Sequence, residues 1–162
     1  MFDIKRFILF LLILIAAIGI QLRSGQILGW NIDTVIAALL VFALWSQLAE
    51  QILLILLSIF LLNWHPGFSP EMIFFALYPL FFYLLHPYLP VRRRIAIPLT
   101  IMIGILGFYL LVAGTSVVAY NSFLWKDEAV STAFGLFLFY LLQLIYEKRG
   151  GDRHGALYAL PR

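Results

Sequence analysis

The sequence predicts an all-α integral membrane protein, a bundle of six transmembrane helices with both ends on the cytoplasmic side. Three observations lead there. Hydrophobic residues make up 64% of the 162 residues and charged residues 12%, and a water-soluble domain of that length has too much surface to cover with so few charges. The apolar runs approach or reach the roughly 20 residues that a helix needs to cross a bilayer. Lysine and arginine collect in alternate connectors, the pattern of the positive-inside bias.

The spans follow in order. The first covers about residues 7–22. Lys5 and Arg6 ahead of the apolar run Phe7 to Ile20 resemble a secretory signal, but Gln21, Leu22 and Arg23 supply no small-x-small cleavage site, so a retained helix is expected. A polar connector holds Arg23, Ser24, Gly25, Gly29, Asn31 and Asp33. The apolar stretch from Thr34 to Leu62 is too long for one span, about 44 Å of helix against a hydrocarbon layer of about 30 Å. A straight helix would also leave Glu50 deep in lipid. A break near Gln47–Gln51 therefore gives two short spans, 34–48 and 50–63, either full crossings or a re-entrant pair. The Pro- and Gly-rich stretch Asn63–Pro70 is a turn. Further spans cover 71–86, 95–114 and 129–146, with a polar loop from Tyr120 to Glu128 before the last. Residues 1–149 form one transmembrane domain, and 150–162 form a flexible cytoplasmic tail.

Charge sets the orientation. With six spans, Lys5, Arg6, Arg92, Arg93, Arg94, Lys148, Arg149, Arg153 and Arg162 share the cytoplasmic side, and only Arg23 and Lys126 lie opposite. Trp30, Trp64 and Trp125 fall in or beside the three external connectors, where indole rings favour the headgroup boundary. A five-span arrangement would carry Lys5 and Arg6 across the membrane. The net charge of +3 thus reflects orientation and implies no nucleic-acid partner.

Candidate chemistry is sparse. With no cysteine, thiol chemistry and Cys-based metal sites are excluded. Glu50 is read as a residue of the cytoplasmic turn, solvated or capping; the functional alternative is an intramembrane proton or ion carrier. His65 and Glu71 flank the Pro-Gly turn, but no His-x-x-x-His or His-Glu-x-x-His spacing supports a metal. Glu71 after Pro70 suits the start of a helix, and His86 suits the end of one. Pro98 lies about one turn into its span, where it is tolerated. Pro79 is central in a helix dense in aromatics (Phe74, Phe75, Tyr78, Phe81, Phe82 and Tyr83), a packing surface or a face for docking another membrane helix. Gly104 and Gly107 offer a smooth face for close helix approach. Arg92, Arg93 and Arg94 set topology and can meet anionic lipid headgroups. No Gly-x-Ser-x-Gly, P-loop or catalytic acid pair is present, so no enzyme activity and no cofactor is expected.

The layout resembles the rod shape-determining protein MreD family, small inner-membrane proteins of about this size. The likeness lies in the first span, the polar residue before the second span (Asn31-Ile32-Asp33-Thr34), a closely following third span, and the turn that ends it. In that family the turn has the form Asp-Leu-Leu-Ser-Gly-x-Pro-Leu-Gly. Here the stretch reads Asn63-Trp64-His65-Pro66-Gly67-Phe68-Ser69-Pro70-Glu71, with Asn63 at the acidic position, Gly67 at the first glycine and Pro70 displaced by one. The resemblance implies a six-helix core like that of the substrate-binding subunits of energy-coupling-factor vitamin transporters. It also implies a non-enzymatic scaffold of the bacterial cytoplasmic membrane for cell shape and lateral peptidoglycan synthesis, with MreC, MreB and the RodA/penicillin-binding-protein pair as partners. The alternative expectation is a small-molecule-binding subunit of a transporter, with the Asn63–Glu71 turn and the Pro79 kink lining its cavity.

Overall fold

A computed structural model describes residues 3–27, 33–62, 70–85, 93–113 and 121–149. These form six α-helices, α1 (Ile4–Ile27), α2 (Thr34–Phe42), α3 (Leu48–Leu62), α4 (Pro70–Leu85), α5 (Arg93–Ala113) and α6 (Asn121–Arg149), with no strand among the described residues. Two of them, over Ile4–Ser24 and Trp125–Tyr146, are long and apolar enough to cross a membrane; α3, α4 and α5 hold shorter apolar stretches.

The helix limits depart from the expected spans in four places, the first being that α1 runs on to Ile27 and takes in Arg23, Ser24 and Gly25, expected in the connector. The α1 helix begins earlier, because Asp3 caps it: its Oδ1 accepts the amides of Lys5 at 3.1 Å and Arg6 at 3.3 Å, two of the donors a helix start leaves open. The α2 helix stops at Phe42 instead of running to about 48, and residues Ala43–Gln47 turn the chain before α3. The break expected from the length of the Thr34–Leu62 stretch is therefore present, about a turn earlier than placed. Residues Asn121–Glu128, read as a loop, are the opening turns of α6; their polarity masked a helical spacing.

The arrangement is a ring around one short helix. The α2 helix touches all five others, while α1, α3, α4, α5 and α6 follow one another around it; among the described residues α6 and α1 meet only through α2. Every residue of α2 from Thr34 to Phe42 is buried. Nine residues of helix measure only about 14 Å, less than half a hydrocarbon layer, so α2 is an inner element and not a lipid-facing span.

Side chains of the ring close over α2. Phe10 of α1 stacks on Phe42 with ring centroids 4.6 Å apart, and Trp45 lies 5.0 Å from Phe139 of α6. Gly135 lets α6 approach: a Cβ there would lie 3.0 Å from Ile101 Cγ2 of α5 and 3.6 Å from the Ala37 Cβ of α2. Gly135→Leu should therefore lower stability by about 1–3 kcal/mol through overpacking, read as a fall in the unfolding midpoint of the purified protein in detergent.

The α4–α5 contact uses the glycines singled out above. The Tyr78 hydroxyl donates to the Gly104 carbonyl at 2.5 Å. It occupies the space a Gly107 side chain would need, and Phe82 lies over Gly104. Phe75 and Tyr78 pack against Phe108 with centroids 6.2 and 5.6 Å apart. The aromatics of α4 thus divide, because Phe74 and Phe81 point outward with Ile73, Leu77 and Leu84. The other ring helices also turn large apolar side chains outward, among them Ile8, Leu12, Leu56, Phe60 (78% exposed), Ile103, Leu110, Phe137 and Leu144. Such a surface is far more apolar than water-soluble monomers carry.

Candidate functional site

Burying a short helix leaves its first amides and last carbonyls inside the protein, where each needs a partner. The turn amides of Ala43, Leu44, Trp45 and Ser46 take the Leu39, Val41 and Phe42 carbonyls, and a polar cluster lies at each end of α2.

At the C-terminal end, α3 begins with a capping box: the Gln47 amide donates to Glu50 Oε2 at 3.0 Å. The other Glu50 oxygen accepts Arg6 Nη2 at 2.7 Å and the Asp3 amide at 3.3 Å. Arg6 is 17% exposed and Glu50 fully buried, so one carboxylate ties the α1 start to the α2–α3 turn. Burial pushes the Glu50 carboxyl up; the Arg6 side chain, the Gln47 and Asp3 amides and the Arg6 charge together outweigh it and hold it below its ordinary value. Glu50 thus caps the turn, and it does so buried and ion-paired. Beside it Gln51, also buried, donates to the Leu39 carbonyl at 3.0 Å and accepts the Ser46 hydroxyl at 2.9 Å. Gln51 therefore adds a second donor to a carbonyl that already accepts the Ala43 amide at 3.0 Å. Gln51→Leu should lower stability by about 0.5–1.5 kcal/mol, the loss of one hydrogen bond to a carbonyl that keeps the Ala43 amide, checked by the unfolding midpoint.

At the N-terminal end the cap is unusual. Asp33 occupies the N-cap position of α2, yet its carboxylate makes no capping bond. Gln21 of α1 takes that role: its Oε1 accepts the Val35 amide at 3.1 Å, while its Nε2 donates to Asp33 Oδ1 at 3.4 Å. Thr34 donates to the Ala17 carbonyl at 2.7 Å, and the Asp33 amide donates to Ser131 Oγ of α6 at 3.1 Å. Burial pushes the Asp33 carboxyl up; the nearby Tyr109 hydroxyl of α5 works against that shift, and the charge of Asp127 adds to it. Helices α1, α2, α5 and α6 thus converge on one polar patch containing Gln21, Asp33, Tyr109, Asp127 and Ser131.

The residues expected to form the external turn site do not enter this picture. Asn63, His65, Pro66 and Gly67 lie outside the described residues, as does Arg92. Pro70 and Glu71 open α4, and Arg93 and Arg94 open α5. Pro79 sits inside α4 and is buried, where it removes one donor from the helix ladder. Of the aromatic belt, Trp125 is described, and it is 56% exposed. The α2-end patch was missed because Asp33 reads as a connector residue and Asp127 as a loop residue. The available signal was the spacing of Asp127 four residues ahead of Ser131, which puts both on one side of a helix.

Comparison with protein-family models, with curated proteins and with solved structures finds no match.

Proposed function

We propose that this is a multi-pass protein of a bacterial cytoplasmic membrane, with both ends in the cytosol, acting as a non-enzymatic scaffold. The observation that carries the reading is the distribution of polarity. Large apolar side chains cover the outer faces of the ring, while the interior hydrogen-bonded side chains that join helices, Glu50 with Arg6 and Ser131 with Asp33, lie at the two ends of α2. In lipid such a bundle exposes little to recognise except helix faces, and association proceeds by packing of those faces. The outward stripe of Phe74, Leu77, Phe81 and Leu84 on α4 repeats at i, i+3, i+7 and i+10, the spacing by which one helix lies along another.

The resemblance in layout to the MreD family makes the elongation machinery the specific proposal, with MreC, MreB and the RodA/penicillin-binding-protein pair as partners and cell shape as the output. Depleting the protein should turn rod-shaped cells round, and tagged protein in mild detergent should bring those partners along. Unchanged shape together with none of those partners would reject the assignment.

The second reading, a small-molecule-binding subunit of a transporter, is favoured by the inward acidic patch at the start of α2. Co-purification of a pair of ATPases would select it over the scaffold.

A further inference from the structure

We propose that Asp33 is a proton-operated latch at the end of the bundle where α2 begins: with its carboxyl protonated, α1, α5 and α6 close on the start of α2, and with it ionised they loosen there. The proposal goes beyond the scaffold reading and does not depend on it.

The first support is position. Among the described residues α1 and α6 meet only through α2, and Asp33 bonds to both. Its amide donates to Ser131 Oγ of α6 at 3.1 Å. Its Oδ1 accepts Gln21 Nε2 of α1 at 3.4 Å, and the same Gln21 holds the Val35 amide at 3.1 Å. The Tyr109 hydroxyl of α5 lies against both Asp33 and Ser131. One titratable residue therefore ties three ring helices to the inner one.

The second support is the setting of the carboxylate. An aspartate at an N-cap ordinarily accepts its own helix amides, which favours the ionised form. Asp33 makes no such bond, because Gln21 accepts the Val35 amide in its place. The groups that face Asp33 are the neutral Gln21 amide from α1, the Tyr109 hydroxyl from α5, and the Ser131 hydroxyl and the Asp127 charge from α6. Arg23 of α1 and Lys126 and Glu128 of α6 are not among the groups that act on it. Among the described residues it thus meets a like charge and no cation. It is only partly buried, so protons can still reach it from solution.

A proton relieves both costs of the ionised form, its desolvation and its repulsion by Asp127. Burial pushes the carboxyl above its ordinary value of 3.8, the Tyr109 hydroxyl offsets part of that, and Asp127 adds to the rise. The folded chain therefore holds this proton more readily than the unfolded chain. The stabilisation is complete below 3.8 and is lost as pH rises through the higher folded value. This sign is opposite to that of Glu50, so acid tightens one end of α2 and weakens the other.

The test uses the full chain in an uncharged detergent, from neutral pH down to 3.8. Thermal unfolding midpoints are compared for wild type, Asp33→Asn and Asp127→Asn. Hydrogen exchange of residues 33–36 is followed in the same buffers and corrected for its intrinsic pH dependence. Asp33→Asn keeps an acceptor for Gln21 and Tyr109 but carries no charge. It should have a higher midpoint than wild type at neutral pH, and the gap should close on acidification; contributions shared by the two proteins, Glu50 included, cancel in the difference. Corrected exchange in wild type should slow on acidification, while in Asp33→Asn it stays slow throughout. Asp127→Asn should move the wild-type exchange transition to lower pH, and this arm decides even where Asp33→Asn does not fold. A midpoint gap that does not change with pH, wild-type exchange without a transition, or a transition that Asp127→Asn leaves in place would overturn the proposal.

Discussion

Glu50→Ala is expected to lower stability by about 3–5 kcal/mol, the range for removing one partner of a buried ion pair. Arg6 is partly exposed, which places the effect toward the lower end. The substitution removes three contacts together: the guanidinium bond at 2.7 Å, the Asp3 amide at 3.3 Å and the Gln47 cap at 3.0 Å. The unfolding midpoint in detergent reads the loss, and Glu50→Gln should recover part of it by keeping an acceptor for the amides. The same contact predicts a pH dependence. The Glu50 carboxyl is held below its ordinary value of 4.5, so the unfolded chain binds the proton more readily than the folded one. The stabilisation is complete well above that ordinary value and is lost as pH falls through the lower folded value. Wild type should lose stability faster than Glu50→Gln as the buffer is acidified through that range.

Phe42→Ala should cost about 3–5 kcal/mol, the range for large-to-small aromatic changes in a packed core. Phe42 ends α2, is fully buried, and stacks on Phe10 at 4.6 Å with an interplanar angle of 12°. Its loss opens a cavity between α1 and the α2–α3 turn, close to the Arg6–Glu50 pair. Phe42→Leu should lose less, because most of the volume stays filled. A midpoint for Phe42→Ala indistinguishable from wild type would mean that α2 is not the centre of the packing.

The helical class and most of the order of elements were readable from hydropathy and charge, because both record the solvent that each face meets. The break between α2 and α3 was readable from length alone, since the Thr34–Leu62 stretch exceeds one crossing. What could not be read was that α2 is wholly enclosed. A nine-residue apolar helix facing lipid and one facing protein have the same composition, and only its packing against all five others distinguishes them. The partners of Glu50 were hidden for a similar reason. Arg6 lies 44 residues away in sequence, and no local pattern joins them. Asp127 and Glu128 were assigned to a loop because polar residues at a helix start look like a connector until the spacing to Ser131 is counted. Gly104 and Gly107 were correctly marked as a close-approach surface, since small residues leave only that use in an apolar helix.

The central claim is that lipid surrounds the ring helices and that α6 crosses it from end to end. The chain has no cysteine, so single cysteines report without background. Lys126→Cys and Lys148→Cys, near the two ends of α6, are each exposed to a membrane-impermeant maleimide in intact spheroplasts and again after permeabilisation. The account predicts that position 126 labels in intact spheroplasts and position 148 only after permeabilisation. Labelling of both positions from one side, or recovery of the protein in the soluble fraction after alkaline carbonate extraction, would contradict it.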